Sequence, residues 1–323
     1  MTTNMLEKRK KLKDGEMVPL YFDEAFKIMY ASADHLETLT ILLSRVLKIE
    51  YQDLLGNITL LPLKNPNTKL GEKKLEKDVV VSIKTYEKFK IVIEVNVKKK
   101  FYESVNDRNI AYAFDIGRRG LNESASYDNL PITYLINFNT YYTDTINKLV
   151  FDEYLLRNEN GNILSRKYKV FCINIAECYN LWYHNEYQGK FGLYEEDLLL
   201  LCAAMMVNKQ EEFKSILNIV RMKPEIKELM RGVVTNMNTN EDFIERFYDY
   251  EEDNRKLTQG IINEEKRESF NAGLTKGITQ GILQNKKEIV LNMYDEKLPL
   301  ETISKYTNLT VTEIEEIIKD AKK

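Results

Sequence analysis

The chain has 323 residues, of which 43% are hydrophobic and 30% charged, and its formal net charge is −3. Such a composition fits a soluble protein with an ample core and excludes a disordered or fibrous chain. No apolar stretch is long enough to span a membrane, and Met1 to Asp14 lacks the apolar region of a signal peptide.

The three cysteines, Cys172, Cys178 and Cys202, have neither metal-ligand spacing nor the density of a disulfide framework. With only His35 and His184 available, a zinc site or a histidine-based triad is disfavoured. The expected setting is a reducing cytoplasm.

Lys8-Arg9-Lys10-Lys11 opens the chain as a basic arm, suited either to DNA backbone or to keeping the terminus solvated. Asp23 then starts a short helix with Phe26, Met29 and Tyr30 on one side. Asp34 and Glu37 have the spacing of a reciprocal helix cap, followed by the stripe Leu36, Leu39, Leu42, Leu43, Val46 and Leu47. Ile58 to Leu63 reads as a strand, and Asn65-Pro66-Asn67 as a turn.

Two β-branched runs come next, Asp78 to Ile83 and Ile91 to Val97, joined by the polar link Lys84 to Lys90. Runs of that kind predict two antiparallel strands. The pairing brings the start of the first beside the end of the second, so Asp78 and Glu94 converge. Side chains alternate along a strand, which puts Glu94, Asn96 and Lys98 on one face. Between Lys69 and Lys100, ten basic residues face five acidic ones, a local balance of +5 around the pair. A basic rim around two acids suits a phosphate-binding site, and a solvated charged hairpin would show the same counts.

Val105 to Gly117 reads as a helix, Ile132 to Phe138 as a buried strand, and Leu149 to Leu156 and Tyr168 to Ile175 as further strands. Leu198 to Val207, Phe213 to Val220 and Pro224 to Thr235 read as helices. Mixed elements followed by helices alone predict an α/β core over residues 1–190, a helical region over 191–270, and a tail over 271–323. Trp182, Tyr179 and Tyr183 form an aromatic cluster read as core.

In the tail, Gly273, Gly277 and Gly281 recur every fourth residue. Each glycine costs a helix about 1 kcal/mol relative to alanine. Close helix–helix contact in a homodimer and a loosely constrained linker are both open readings. Lys287 to Ala321 reads as three small helices around Ile303, Leu309, Ile314 and Ile317, with Pro299 in a first turn and Thr310 and Glu313 as a capping box. Its helix-turn-helix-like plan suits groove binding or self-association.

Two carboxylates beside an amide and an amine suit a hard divalent cation and a phosphodiester. Mg²⁺ prefers oxygen ligands and keeps several waters, so two carboxylates plus a substrate phosphate suffice. The alternative is structural: Asp78 caps a strand and Glu94 pairs with Lys27 or Lys98. Burying an acid in a run as apolar as Ile91-Val92-Ile93 demands a partner, which weighs toward a metal.

The arrangement resembles the PD-(D/E)xK nuclease superfamily, in its Rpn-like branch of recombination-promoting, transposase-associated nucleases. Phe22-Asp23-Glu24-Ala25-Phe26-Lys27 is similar to that branch's opening D-x-x-F-K helix. Arg108-Asn109-Ile110-Ala111-Tyr112 is similar to its R-x-x-x-Y helix, and Pro131 to Phe138 to its next strand. The Gly-spaced tail fits as well. The resemblance implies a restriction-endonuclease-like mixed sheet flanked by helices, and a DNA endonuclease using Mg²⁺ or Mn²⁺. It implies Asp78 and Glu94 as metal ligands, the Val95 carbonyl completing the inner shell, and Asp23 orienting water or binding a second ion. Asn96 stands where the branch usually has Gln, one methylene longer, and Lys98 or Lys27 would supply the positive charge that a Lys gives there. Lys99 and Lys100 are expected phosphate contacts, and Arg108 is expected to meet DNA phosphate or the site carboxylates. A relative that binds DNA or a partner protein without cutting is the second reading, and Asn96 motivates it.

Overall fold

The computed structural model describes residues 11–62, 78–84, 88–96, 103–118, 126, 130–143 and 146–321. The chain divides into two units, Met1–Glu251 and Glu252–Lys323.

The first unit is built on six strands: β1 (Ile58–Leu60), β2 (Val79–Lys84), β3 (Lys88–Asn96), β4 (Ile132–Asn139), β5 (Phe151–Arg157) and β6 (Ile163–Asn174). Their order in the sheet is β1-β2-β3-β4-β6-β5. β2 and β3 pair antiparallel as the two runs predicted, with Val79 opposite Ile93 and Val80 opposite Val92. β3, β4 and β6 run parallel, and β5 returns antiparallel on β6.

The helices are α1 (Asp23–Tyr30), α2 (Leu36–Leu47), α3 (Tyr51–Leu54), α4 (Glu103–Arg118), α5 (Ile175–Tyr183), α6 (Leu193–Met206), α7 (Gln210–Ile219), α8 (Pro224–Thr239) and the start of α9 (Glu241–Asp295). Alternation along the strands splits the side chains between two layers. Val79, Val81, Ile83, Ile91, Ile93, Ile136, Phe138 and Ile173 join a large core with α1, α2 and α5 to α8. Val80, Val92 and Leu135 join a smaller core under Tyr112, Ala113 and Ile116 of α4. The result is three layers, helix–sheet–helix.

α6 is apolar all round, from Leu198 to Met205, and it is buried all round, as such a helix must be. Its one buried charge, Asp197, meets Arg45 Nε of α2 at 3.0 Å and Arg221 Nε at 3.2 Å. At the opening of α1, Phe22 packs on Phe243, Phe247 and Tyr250 of α9, and Arg246 donates to both Glu24 oxygens at 2.9 and 2.8 Å. α4 approaches the sheet closely at Gly117, where a Cβ would lie 2.7 Å from the Tyr168 ring and 2.9 Å from Thr133 Oγ1.

Several expected details change. β6 begins at Ile163 rather than Tyr168, because the hairpin with β5 extends it through Arg157 opposite Ile163. α5 follows β6 at once with Asn174 Oδ1 capping Glu177 N at 3.1 Å, a helix the sequence did not predict. Its aromatic cluster is real, though Tyr183 is exposed. The Asp34–Glu37 cap does not form. A 3₁₀ turn at Ala33–His35 intervenes, Ser32 Oγ accepts from Asp34 N, and His35 at the start of α2 gives no side-chain cap. The helices after residue 190, up to residue 251, share the large core with the sheet.

The second unit holds the rest of α9, α10 (Leu300–Thr307) and α11 (Val311–Ala321). Val290, Ile303, Ile314 and Ile318 form its core, with Leu309 and Ile317 only partly buried against it. Ile318 thus takes the place expected for Ile317. The Thr310–Glu313 box forms, with Thr310 N donating to Glu313 at 2.7 Å and Glu313 N to Thr310 Oγ1 at 3.3 Å. Pro299 is the residue just before α10. Gly273, Gly277 and Gly281 lie within α9 with open space at each Cβ position. Among the described residues, no helix is long and apolar enough to cross a membrane.

Candidate active site

The antiparallel register brings two acids together at the candidate site. Val79 pairs with Ile93, so the next step sets Asp78 against Glu94. Directly opposed residues in such a pair have Cβ atoms roughly 4.5–5.5 Å apart and share a face. The face is that of Val80 and Val92, on the α4 side. The pair stands where the parallel strands β3, β4 and β6 end, the edge at which open α/β sheets bind their ligands.

Each helical layer contributes one cation. Lys27 of α1 meets Asp78 Oδ1 at 3.5 Å and Asp23 Oδ2 at 2.7 Å. Arg108 of α4 meets Glu94 Oε2 at 3.7 Å and lies over the Tyr112 ring at 5.6 Å. Lys27 thus faces the two aspartates and Arg108 faces Glu94, while the Lys98 pairing of the structural alternative lies outside the described residues. Both contacts to Asp78 and Glu94 are longer than the 2.7–2.9 Å or so of an ideal charge-assisted hydrogen bond. Burial alone would lower the pKa of Lys27, and the hydrogen bond and charge of Asp23 with the charge of Asp78 outweigh it, leaving the amine raised.

Glu94 is buried, Asp78 about one-fifth exposed at its side chain, and Asp23 more than half exposed. Asn96 closes β3, its backbone in register with Asn139 of β4, and Val95 precedes it opposite Phe138. Lys98, Lys99 and Lys100 lie outside the described residues, as does most of the lysine-rich stretch before Asp78.

Further polar groups line the same end of the sheet. Asn137, Asn139 and Asn174 are buried there, and Asn139 Nδ2 donates to Thr143 Oγ1 at 3.3 Å. The Tyr141 phenol is pushed up to about 12, by burial first and by Cys172 next, with Arg108 opposing. Burial likewise raises the Cys172 thiol. The sequence reading passed over these residues. The signal was an Asn at 137 inside the otherwise apolar run Leu135 to Phe138.

Among the described residues no three His, Cys, Asp or Glu side chains cluster, so a closed structural zinc centre is not formed by them. Two carboxylates at a strand end suit a cation that keeps much of its water, as Mg²⁺ does.

A mixed six-stranded sheet between helical layers, with paired acids on adjacent strands, is the plan of a PD-(D/E)XK-like α/β protein. A family model described as PD-(D/E)XK nuclease family transposase matches residues 20–258, and the chain belongs to that family. No curated protein and no solved structure matches the chain significantly. The matched segment contains Asp23, Lys27, Asp78, Glu94, Asn96 and Arg108.

Proposed function

We propose that the protein is a metal-dependent DNA endonuclease of the transposase- and recombination-associated kind, with Asp78 and Glu94 holding Mg²⁺ or Mn²⁺. The observation that carries this reading is the β2–β3 register, which sets two acids side by side at the sheet end with a cation from each helical layer next to them. The Val95 carbonyl would complete the ligand set. A divalent ion there supplies charge relief on the scissile phosphate and a more acidic bound water.

The protein's own groups do the rest. Lys27 holds Asp78 and Asp23 together, so α1 keeps a positive charge and a water-accessible acid at the strand end. Arg108 steadies Glu94 and remains partly exposed, placed to meet a backbone phosphate. Lys98, Lys99 and Lys100, which lie outside the described residues, would add positive charge for the phosphate backbone, as the family resemblance implies. Affinity for DNA would then fall steeply with salt.

Nicking of supercoiled plasmid by purified protein tests the proposal. It is expected to stop with EDTA, to return with excess Mg²⁺ or Mn²⁺, and to vanish in Asp78→Ala. Cleavage that survives Asp78→Ala refutes the assignment.

Asn96 favours a second reading, a relative that binds DNA or a partner without cutting. A gel shift with no metal-dependent cleavage, and cleavage restored by Asn96→Gln or Asn96→Lys, would establish it. A homodimer through the C-terminal helices is also proposed. Phe270, Leu274, Ile278 and Ile282 are exposed at four-residue spacing along α9, beside Gly273, Gly277 and Gly281. A monomer mass in sedimentation at the highest soluble concentration would retire the dimer.

A further inference from the structure

β6 is longer than the sheet that holds it. Its pairing with β4 begins at Tyr168, opposite Thr133, yet the strand starts at Ile163. Tyr168 anchors that boundary, with its ring centroid 4.7 Å from that of Phe114 on α4. Before it, β5 is the one strand partner of β6 among the described residues, so the two form a ribbon running past the sheet end. Little of the ribbon is packed: Leu156 is 38% exposed and Leu164 83%. A lone two-stranded ribbon is marginally stable in water, so this length calls for a use beyond folding.

The register of the ribbon is irregular in a way that exposes charge. Leu155 pairs with Lys169 but Leu156 pairs with Ser165, so Arg166, Lys167 and Tyr168 are extra residues on β6. Such bulges bend a strand and re-aim its side chains. Arg166 is exposed, as is Arg157 on the facing strand, and the two border one open concavity with Gly161, Asn162 and Ser165. Asn158 Oδ1 holds the tip, accepting from Asn160 N at 3.1 Å and Asn162 N at 2.9 Å. Arg157 Nη1 donates to Gly161 O at 3.1 Å, which sets the guanidinium over the turn and leaves its other N–H groups for a further acceptor.

Among the described residues, Arg157, Arg166 and Lys167 have no carboxylate partner. Lys169, at the base of the ribbon, is by contrast held by Glu153 at 3.2 Å. Glu159 is the one acid between Arg157 and Lys167, so three cations against it leave this arm at +2 in a chain whose net charge is −3.

We propose that the ribbon is a DNA-backbone contact separate from the carboxylates, in which Arg157 and Arg166 take phosphate oxygens between them and Lys167 adds a third cation. The inference rests on the DNA reading above and names a second place where the duplex is held. Guanidinium groups bind phosphate through paired N–H donors, and a two-stranded ribbon is narrow enough to enter a major groove. The spacing suits one duplex touching both places. Ile163 precedes Cys172, the residue level with Glu94, by nine positions, at most about 30 Å along a strand. B-DNA advances about 3.4 Å per base pair, so that span is about nine base pairs.

Fluorescence anisotropy of the full chain with a labelled duplex of about three helical turns, in EDTA and over a range of salt, tests the proposal. Each phosphate contact contributes about 0.9 to the slope of log affinity against log salt. Arg157→Gln, Arg166→Gln and Lys167→Gln combined are expected to make the slope shallower by about two to three, with binding weakened alike on unrelated sequences. Arg157→Lys with Arg166→Lys keeps the charge and is expected to hold nearly the wild-type slope. Arg166→Gln alone, on a side chain in no hydrogen bond among the described residues, is expected to shift the slope by about 0.9 and serves if the triple variant unfolds. An unchanged slope in the Gln variants overturns the inference, and so does an equal loss in the Lys variant, which would assign the effect to the shape of the turn. If the wild type binds no duplex, the DNA reading itself fails and this inference falls with it. Wild-type binding with indifferent Gln variants sinks the inference alone and leaves the carboxylate site standing.

Discussion

Glu94→Gln is expected to abolish Mg²⁺- or Mn²⁺-dependent cleavage while leaving the folded state at least as stable as the wild type. A bound metal supplies several kcal/mol of transition-state stabilisation, and about 1.4 kcal/mol is a factor of ten, so the loss should exceed roughly a hundredfold. Stability moves the other way for a simple reason. The Glu94 side chain is only 5% exposed, and a buried carboxylate carries a desolvation penalty that a neutral amide of the same shape avoids. Arg108, about a third exposed, can turn to water when its partner's charge is gone. Activity and stability should therefore separate. A purely structural ion pair predicts the reverse, a weakened fold with cleavage unchanged. Plasmid nicking and urea denaturation on the same preparation decide between them, and a variant that cleaves at the wild-type rate removes Glu94 from the site.

Asp197→Ala should lower stability by about 3–5 kcal/mol, the usual consequence of removing one partner from a buried ion pair. Asp197 is nearly fully buried on α6, and its two oxygens meet Arg45 and Arg221, with Arg221 N donating to Oδ1 at 3.1 Å. Arg221 is almost half exposed and would lose little. Arg45, with an 11% exposed side chain, would keep its charge without the carboxylate that compensates it. The cluster ties α2 and α6 together behind the sheet, so the midpoint of denaturation should fall with an unchanged denaturant slope. A shift no larger than that of an ordinary surface substitution, within about 0.5 kcal/mol, would show that the helices hold without it.

The sequence made the β2–β3 pair legible because its apolar runs are short, β-branched and bounded by charge, so that only a paired strand satisfies them. α2 and α8 were legible from their stripes and α4 from its position after the hairpin. α5 was missed because Ile175-Ala176-Glu177-Cys178 continues the apolar character of β6, and only the Asn174 cap marks the change. The false cap at Asp34 shows the opposite error, a local motif overridden where the chain turns between α1 and α2. The convergence of Asp78 and Glu94 was legible from the two strand runs, and the β2–β3 register agrees with it. Which acid each cation stands beside was not legible, because Lys27 and Arg108 come from helices that approach from opposite layers.

Two acids facing each other across a hairpin are a consequence of local order: strand alternation and antiparallel register follow from neighbouring residues, and the chain by itself settled them. The residues level with Glu94 on the other strands are different. Asn137, Cys172 and Asp152 join Glu94 only because β4 and β6 run parallel to β3, and parallel neighbours are joined by crossovers whose register no short stretch of sequence encodes. Packing of α4 on one face and of α1, α2 and α6 on the other set that register, and with it the surroundings of the carboxylates.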